Sequence, residues 1–282
     1  MAGADSRWSI GIYHGPTPLK LGPDPRVRNP VLTAHDVDDV DAAFVADPFM
    51  LHDGRRWSMF FEVLNRPLLR GQIGLAVSDD GLTWRYDGIV LAEEFHLSYP
   101  FVFAHEDEHF MLPETFESAS VRLYRATRFP RQWTLDRVLM NEVVVDPSLL
   151  RHDGRWWLFG CTSPKGHDVL RLWSAEELTG RWCEHPCSPI VNGDRTAGRP
   201  AGRPVIDGGR IYRFAQDCMR EYGASVRAFE ITRLTPSAYE EHAIAAPPLG
   251  TVLASWNARR MHHIDAHPHE DGWIACVDGD AM

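Results

Sequence analysis

The stretch VDPSLLRHDGRWWLFGC, residues 145–161, reads as a short strand, a tight polar turn at HDG and a second, aromatic-rich strand. The same plan recurs as ADPFMLHDGRRWSMFFE at 46–62, SYPFVFAHEDEHFMLPE at 98–114, GRPVIDGGRIYRFAQDC at 202–218 and HIDAHPHEDGWIACVD at 263–278. Five repeats of short strands at this spacing predict an all-β, five-bladed β-propeller with one repeat per blade. Four repeats carry a proline, at Pro48, Pro100, Pro147 and Pro204, and Glu62, Glu114, Cys161 and Cys218 stand fourteen residues after them. The fifth repeat joins the register if Ile264 takes the proline column. Asp278 then stands fourteen residues on, and Trp273 falls level with Trp57 and Trp156.

The column before the proline reads Asp47, Tyr99, Asp146, Arg203 and His263. A propeller gathers this column at the axial end of its innermost strands. Charges are costly to bury without partners, so a polar ring at an axis reads as the lining of a site. Asp47 and Asp146 are carboxylates from different blades, and Glu114 lies at the far end of the second repeat. Carboxylates facing one another across a pocket are what glycoside chemistry requires, one as base or nucleophile and one as acid.

The totals fit one domain spanning residues 1–282. The hydrophobic share of 44% and charged share of 24% are ordinary for a globular protein. A net charge of −10 without a basic stripe argues against a nucleic-acid surface. No apolar run is long enough for a membrane span. The opening MAGADSRWS has no leader pattern, and the five cysteines are odd in number and scattered, which leads us to expect a reduced, cytoplasmic setting. Cys161, Cys218 and Cys276 fall in strands and read as small buried hydrophobes. Cys183 and Cys187 lack the second pair a zinc site wants.

Each repeat is followed by further strand–turn–strand sequence, at 71–91, 121–139, 169–191 and 223–244, giving four strands per blade. The segment before Val40 is the candidate for the outer strand that closes the ring. The loop NGDRTAGRPAG at 192–202 reads either as an ordinary surface loop or as an arginine-bearing rim over the axis. In the fifth repeat, His262, His263, His267 and His269 invite a metal reading, but no partners are evident and we expect no metal or other cofactor. His263 and His267 read as substrate or phosphate contacts, or as plain hydrogen-bonded side chains. Gln216 and Asp217 are candidate sugar-hydroxyl partners.

The phrases VADPF around Asp47 and VDPSLLRHDGRWWLF around Asp146 resemble those of glycoside hydrolase family 43. SYPFVF with MLPET, and AGRPVIDGGRIYRFAQDC, resemble the propeller domain of glucosamine inositolphosphorylceramide transferases and their bacterial relatives. The resemblance covers residues 40–280 and implies a five-bladed propeller and carbohydrate chemistry. It also implies Asp47 as the base toward water or an incoming hydroxyl, and Asp146 as the residue that orients and tunes the acid. The position of that acid holds Arg203, which cannot give up a proton.

Three readings follow. Glu114 supplies the proton in a hydrolase. Alternatively, the leaving group is a phosphate held by Arg203, Arg199 and His263, as in a glycosyltransferase or phosphorylase acting on a nucleotide-sugar or sugar phosphate. In the third, the site binds a carbohydrate without turning it over. Tyr99 completes the expected substrate contacts.

Overall fold

The computed structural model describes residues 7–246, 248–249, 255–270 and 272–281. Residues 1–6 of the opening segment and Asp271 of the fifth repeat lie outside the described residues. The strands form five antiparallel sheets, one per repeat. The innermost strands are Ala42–His52, Ser98–His105, Val145–His152, Val205–Asp207 and Ile264–His269. Each turns back into a second strand, respectively Trp57–Asn65, Glu108–Glu114, Arg155–Cys161, Arg210–Asp217 and Gly272–Asp280. Blade 3 departs from four strands: two short pieces, Cys183–Glu184 and Val191–Asn192, share its outer edge.

The N-terminal segment supplies two strands to the last blade, where the sequence suggested one. Trp8–Thr17 pairs with Gly272–Asp280 from Trp8↔Asp280 to Gly15↔Trp273, and Lys20–Pro23 forms the edge. Joining the first strand to the last blade removes two open sheet edges at once. The apolar faces pack between blades. Trp57, Trp156 and Trp273, level in the repeat, are all buried there. A single continuous core contains Phe60 from blade 1, Phe101 and Leu112 from blade 2 and Leu158 from blade 3. Buried aromatic area of this kind dominates the stabilisation of such interfaces. Among the described residues no helix is long and apolar enough to cross a membrane.

Candidate active site

Three members of the expected ring share an unusual backbone. Asp47, Tyr99 and Asp146 adopt φ of 52°, 47° and 51°. In each case the pairing of the first two strands skips: Ala46↔Glu62 is followed by Phe49↔Phe60, Ser98↔Glu114 by Phe101↔Leu112, and Val145↔Cys161 by Ser148↔Phe159. These are β-bulges whose left-handed residue is ordinarily glycine. Holding a side-chain-bearing residue there costs about 1–2 kcal/mol. Such bulges re-aim side chains and gather at functional sites.

The same hairpins bring back the far end of each repeat. Because the strands are antiparallel, Glu114 returns beside Ser98 and Glu62 beside Ala46. Glu114 and Asp47 therefore line one cavity of about 290 Å³, together with Glu62, His96, Arg199 and Tyr222. Trp8 from the ring-closing strand and His262 complete its aromatic wall, their rings stacked at 4.0 Å. The fourteen-residue column also has a repeated job. The Asp146 N–H donates to Glu114 Oε2 at 3.0 Å, and the Asp47 N–H donates to Asp278 Oδ2 at 3.1 Å. In each case the carboxyl of the preceding blade holds the bulged residue of the next.

Arg199 is the guanidinium of this pocket, and it is engaged. Its Nε lies 2.6 Å from Asp146 Oδ2, its second amino group 3.3 Å from Oδ1 and 3.6 Å from Glu114. His167 Nδ1 stands 3.1 Å from its other amino group, and the Tyr222 ring covers it at 5.0 Å. Gln216 donates to Asp146 at 2.9 Å and to the Pro200 carbonyl at 3.0 Å. Within the 192–202 loop Arg199 points inward, and its carbonyl accepts the Gln216 N–H at 2.8 Å.

Crowded carboxyls in a dry site hold their protons. Burial first, then Asp146 and Asp278, keeps Asp47 well above the usual carboxylate range. Burial and Asp146 push Glu114 up to about 8, against the pull of Arg199 and His96. Burial works against a charge on His96, but Glu62 at 3.2 Å outweighs it and raises the imidazole. The pocket thus sets two carboxyls pushed toward their neutral forms, Asp47 and Glu114, beside the pairs Arg199–Asp146 and His96–Glu62.

The remaining expected residues have other partners. In blade 4 the positive φ belongs to Gly202 (128°), one residue before the column. That shift turns Arg203 off the bulge, and a one-residue shift along a strand changes the face a side chain takes. Arg203 donates to Asp265 at 2.6 Å and to the Val102 carbonyl at 2.7 Å, stacked over Phe101. It braces the axis and is not among the residues that line the pocket. Tyr99 is fully buried, its hydroxyl 2.7 Å from Ser148 Oγ and accepting the Gly202 N–H. His267 pairs with Asp265 at 2.9 Å. Asp217 accepts the Met219 N–H at 3.0 Å, in its own turn. His263 is buried behind Asp47, 3.8 Å away, and burial lowers its imidazole to about 4. A neutral, buried imidazole is a poor phosphate ligand.

Sequence reasoning missed Trp8, on the ring-closing strand, and His96 and Tyr222, which come from connecting segments without a repeat register. It noted Glu62 and His262 without assigning either to the pocket.

Asp47, His262 and Asp278 gather closely enough to share an ion. The donor set does not suit one. Asp278 Oδ1 accepts the N–H groups of His262 and His263, and Oδ2 accepts that of Asp47 with His262 Nδ1 at 2.7 Å. Both oxygens are saturated, which leaves too few ligands for a metal.

The family model described as glucosamine inositolphosphorylceramide transferase 1, N-terminal, matches residues 2–280. The chain is 40% identical over 99% of its length to glucosamine inositolphosphorylceramide transferase 1 of Oryza sativa subsp. japonica, and 36% identical to that of Arabidopsis thaliana. It spans about 40% of the length of these relatives. In shape it is similar to an exo-β-1,3-galactanase from Clostridium thermocellum (TM-score 0.64, 11% identity, 86% of this chain and 60% of that one). It is also similar to a family 117 glycoside hydrolase from Zobellia galactanivorans (TM-score 0.59, 11% identity, 96% and 91%). At such identities these structures show the shared propeller fold alone. The chain belongs to the family of the N-terminal region of glucosamine inositolphosphorylceramide transferase 1.

Proposed function

We propose that this propeller is carbohydrate-active and holds one glycosyl residue in the axial pocket, with an amino sugar as the preferred occupant. The observation that carries this reading is the carboxyl excess. Asp47, Glu62 and Glu114 line one cavity, and the guanidinium there, Arg199, is held by Asp146. An ammonium group would relieve the crowding that raises Asp47. The relatives' name points the same way, since it couples glucosamine to a transferase. Trp8 and Tyr222 line the cavity with aromatic surface, and the carboxyls offer hydrogen bonds to sugar hydroxyls.

The chemistry follows from the charge state. With an ammonium bound, we assign Asp47 the part of the carboxylate and Glu114, pushed up to about 8, the part of the acid. One carboxylate and one carboxylic acid then face the same sugar, as glycosyl cleavage or transfer requires. Asp47 would take the proton of an incoming hydroxyl or water, and Glu114 would protonate the departing oxygen. Asp146 holds Arg199, and its backbone N–H orients Glu114. The upward shift of Asp47, which weakens it as a base, favours a second reading, binding without turnover. Thermal-shift titration with glucosamine, N-acetylglucosamine and glucose, followed by product detection after long incubation, separates the outcomes. Stabilisation by glucosamine with product supports the enzyme; stabilisation without product supports the binding module. No stabilisation by any of the three removes the reading.

A further inference from the structure

A second cavity adjoins the pocket and differs from it in charge. It is a groove of about 920 Å³ between the ring-closing strand and blade 1, and Trp8 lines both cavities. Ala43 faces the groove where its neighbour Phe44 faces the pocket, so the two lie on either side of one strand. The groove's polar lining includes Arg7, His35 and Arg66 against a single carboxylate, Asp41. Arg66 and Asp41 meet at 3.4 Å with both side chains more than half exposed (52% and 61%), a pair that solvent screens. Among the described residues the Arg7 guanidinium has no carboxylate partner; only its backbone N–H is engaged, with Asp280. Two nearby acids are turned elsewhere. Asp36 accepts from Thr33, and Asp39 accepts from Tyr86 and the Ile89 N–H. Two arginines thus line the groove against one carboxylate, on a chain of net charge −10.

The geometry points to an anion subsite: the groove takes a phosphate ester, with Arg7 and Arg66 on the phosphate oxygens and His35 at the edge. Guanidinium groups suit phosphate because their N–H fork matches its oxygens. The inner arginines cannot do this work, since Arg199 and Arg203 are already held by Asp146 and Asp265. Because Trp8 is shared, a sugar in the pocket and a phosphate in the groove can belong to one molecule or to two that meet there. The inference goes beyond the sugar reading and is tested separately from it.

The test is a set of titrations of the full chain with inorganic phosphate, glucose, glucose 1-phosphate, and phosphatidylcholine vesicles with and without phosphatidic acid. The groove predicts that glucose 1-phosphate binds about tenfold more tightly than glucose, with an affinity that falls as salt rises. Arg7→Ala/Arg66→Ala should erase that preference and leave glucose unchanged, while Arg7→Lys/Arg66→Lys should keep most of it. Phosphate binding lost in the double alanine variant supports the groove even if glucose does not bind. Binding to the phosphatidic acid vesicles alone assigns the phosphate to a lipid headgroup; binding to the soluble ester alone assigns it to a free sugar phosphate. Equal affinity for the sugar and its phosphate, or a preference that survives the double alanine variant, overturns the inference.

Discussion

Replacing Glu114 by Gln tests whether this buried carboxyl holds a proton at neutral pH. Glu114 is 3% exposed, and burial and then Asp146 lift it from 4.5 to about 8. Its folded value is raised, so the unfolded chain loses the proton first as pH rises. Below about pH 4.5 both states are protonated and the group is neutral toward stability. Between 4.5 and 8 it costs the fold about 1.4 kcal/mol per pH unit, or about 3 kcal/mol at pH 7. Above pH 8 the cost is constant. Gln has the shape of the neutral acid, and its carbonyl can still accept the Asp146 N–H. Glu114→Gln is therefore expected to gain on the wild type by about 3 kcal/mol between pH 5 and pH 7. Urea unfolding followed by tryptophan emission at pH 5, 6, 7 and 8 measures this gap. A gap that stays flat with pH, or one that closes as pH rises, refutes the reasoning.

Other expectations follow from the same contacts. Asp47→Asn should abolish any turnover while keeping or raising the melting temperature, because Asn imitates the neutral acid; retained product formation removes Asp47 from the chemistry. Arg203→Ala leaves Asp265 buried without its guanidinium and should cost about 3–5 kcal/mol in urea unfolding. A loss under about 1 kcal/mol would show that Arg203 does not brace the axis. Gly202→Ala places a methyl group 1.7 Å from the Ile264 carbonyl at φ 128°, so the variant should lose more than about 4 kcal/mol or fail to fold.

The repeat made the architecture legible because every blade solves the same packing problem with the same spacing. The Asp47 and Asp146 positions were legible too, since an Asp-Pro step repeated in register marks a repeated bulge. Glu114 looked distant from Asp47 along the chain, and only the antiparallel return of the hairpin brings it alongside. Arg203 was misleading for a local reason: Gly202, not Arg203, takes the positive φ in blade 4. Its partner Asp265 lies on the next blade, a pairing between separate repeats that no local pattern announces. Trp8 reaches the pocket only because the first strand pairs with the last blade. His96 and Tyr222 sit in connections whose lengths differ from blade to blade, so no column exists in which to read them.

The central claim is that Asp47 and Glu114 together receive a sugar carrying an ammonium group. Calorimetric titration of glucosamine at pH 7 in two buffers of different ionisation enthalpy tests it most directly. The account predicts binding with net proton release to the buffer, as the ammonium draws Asp47 into its ionised form, and no proton release in Asp47→Asn. Glucosamine binding that exchanges no protons, or that is unchanged in both Asp47→Asn and Glu114→Gln, would contradict it.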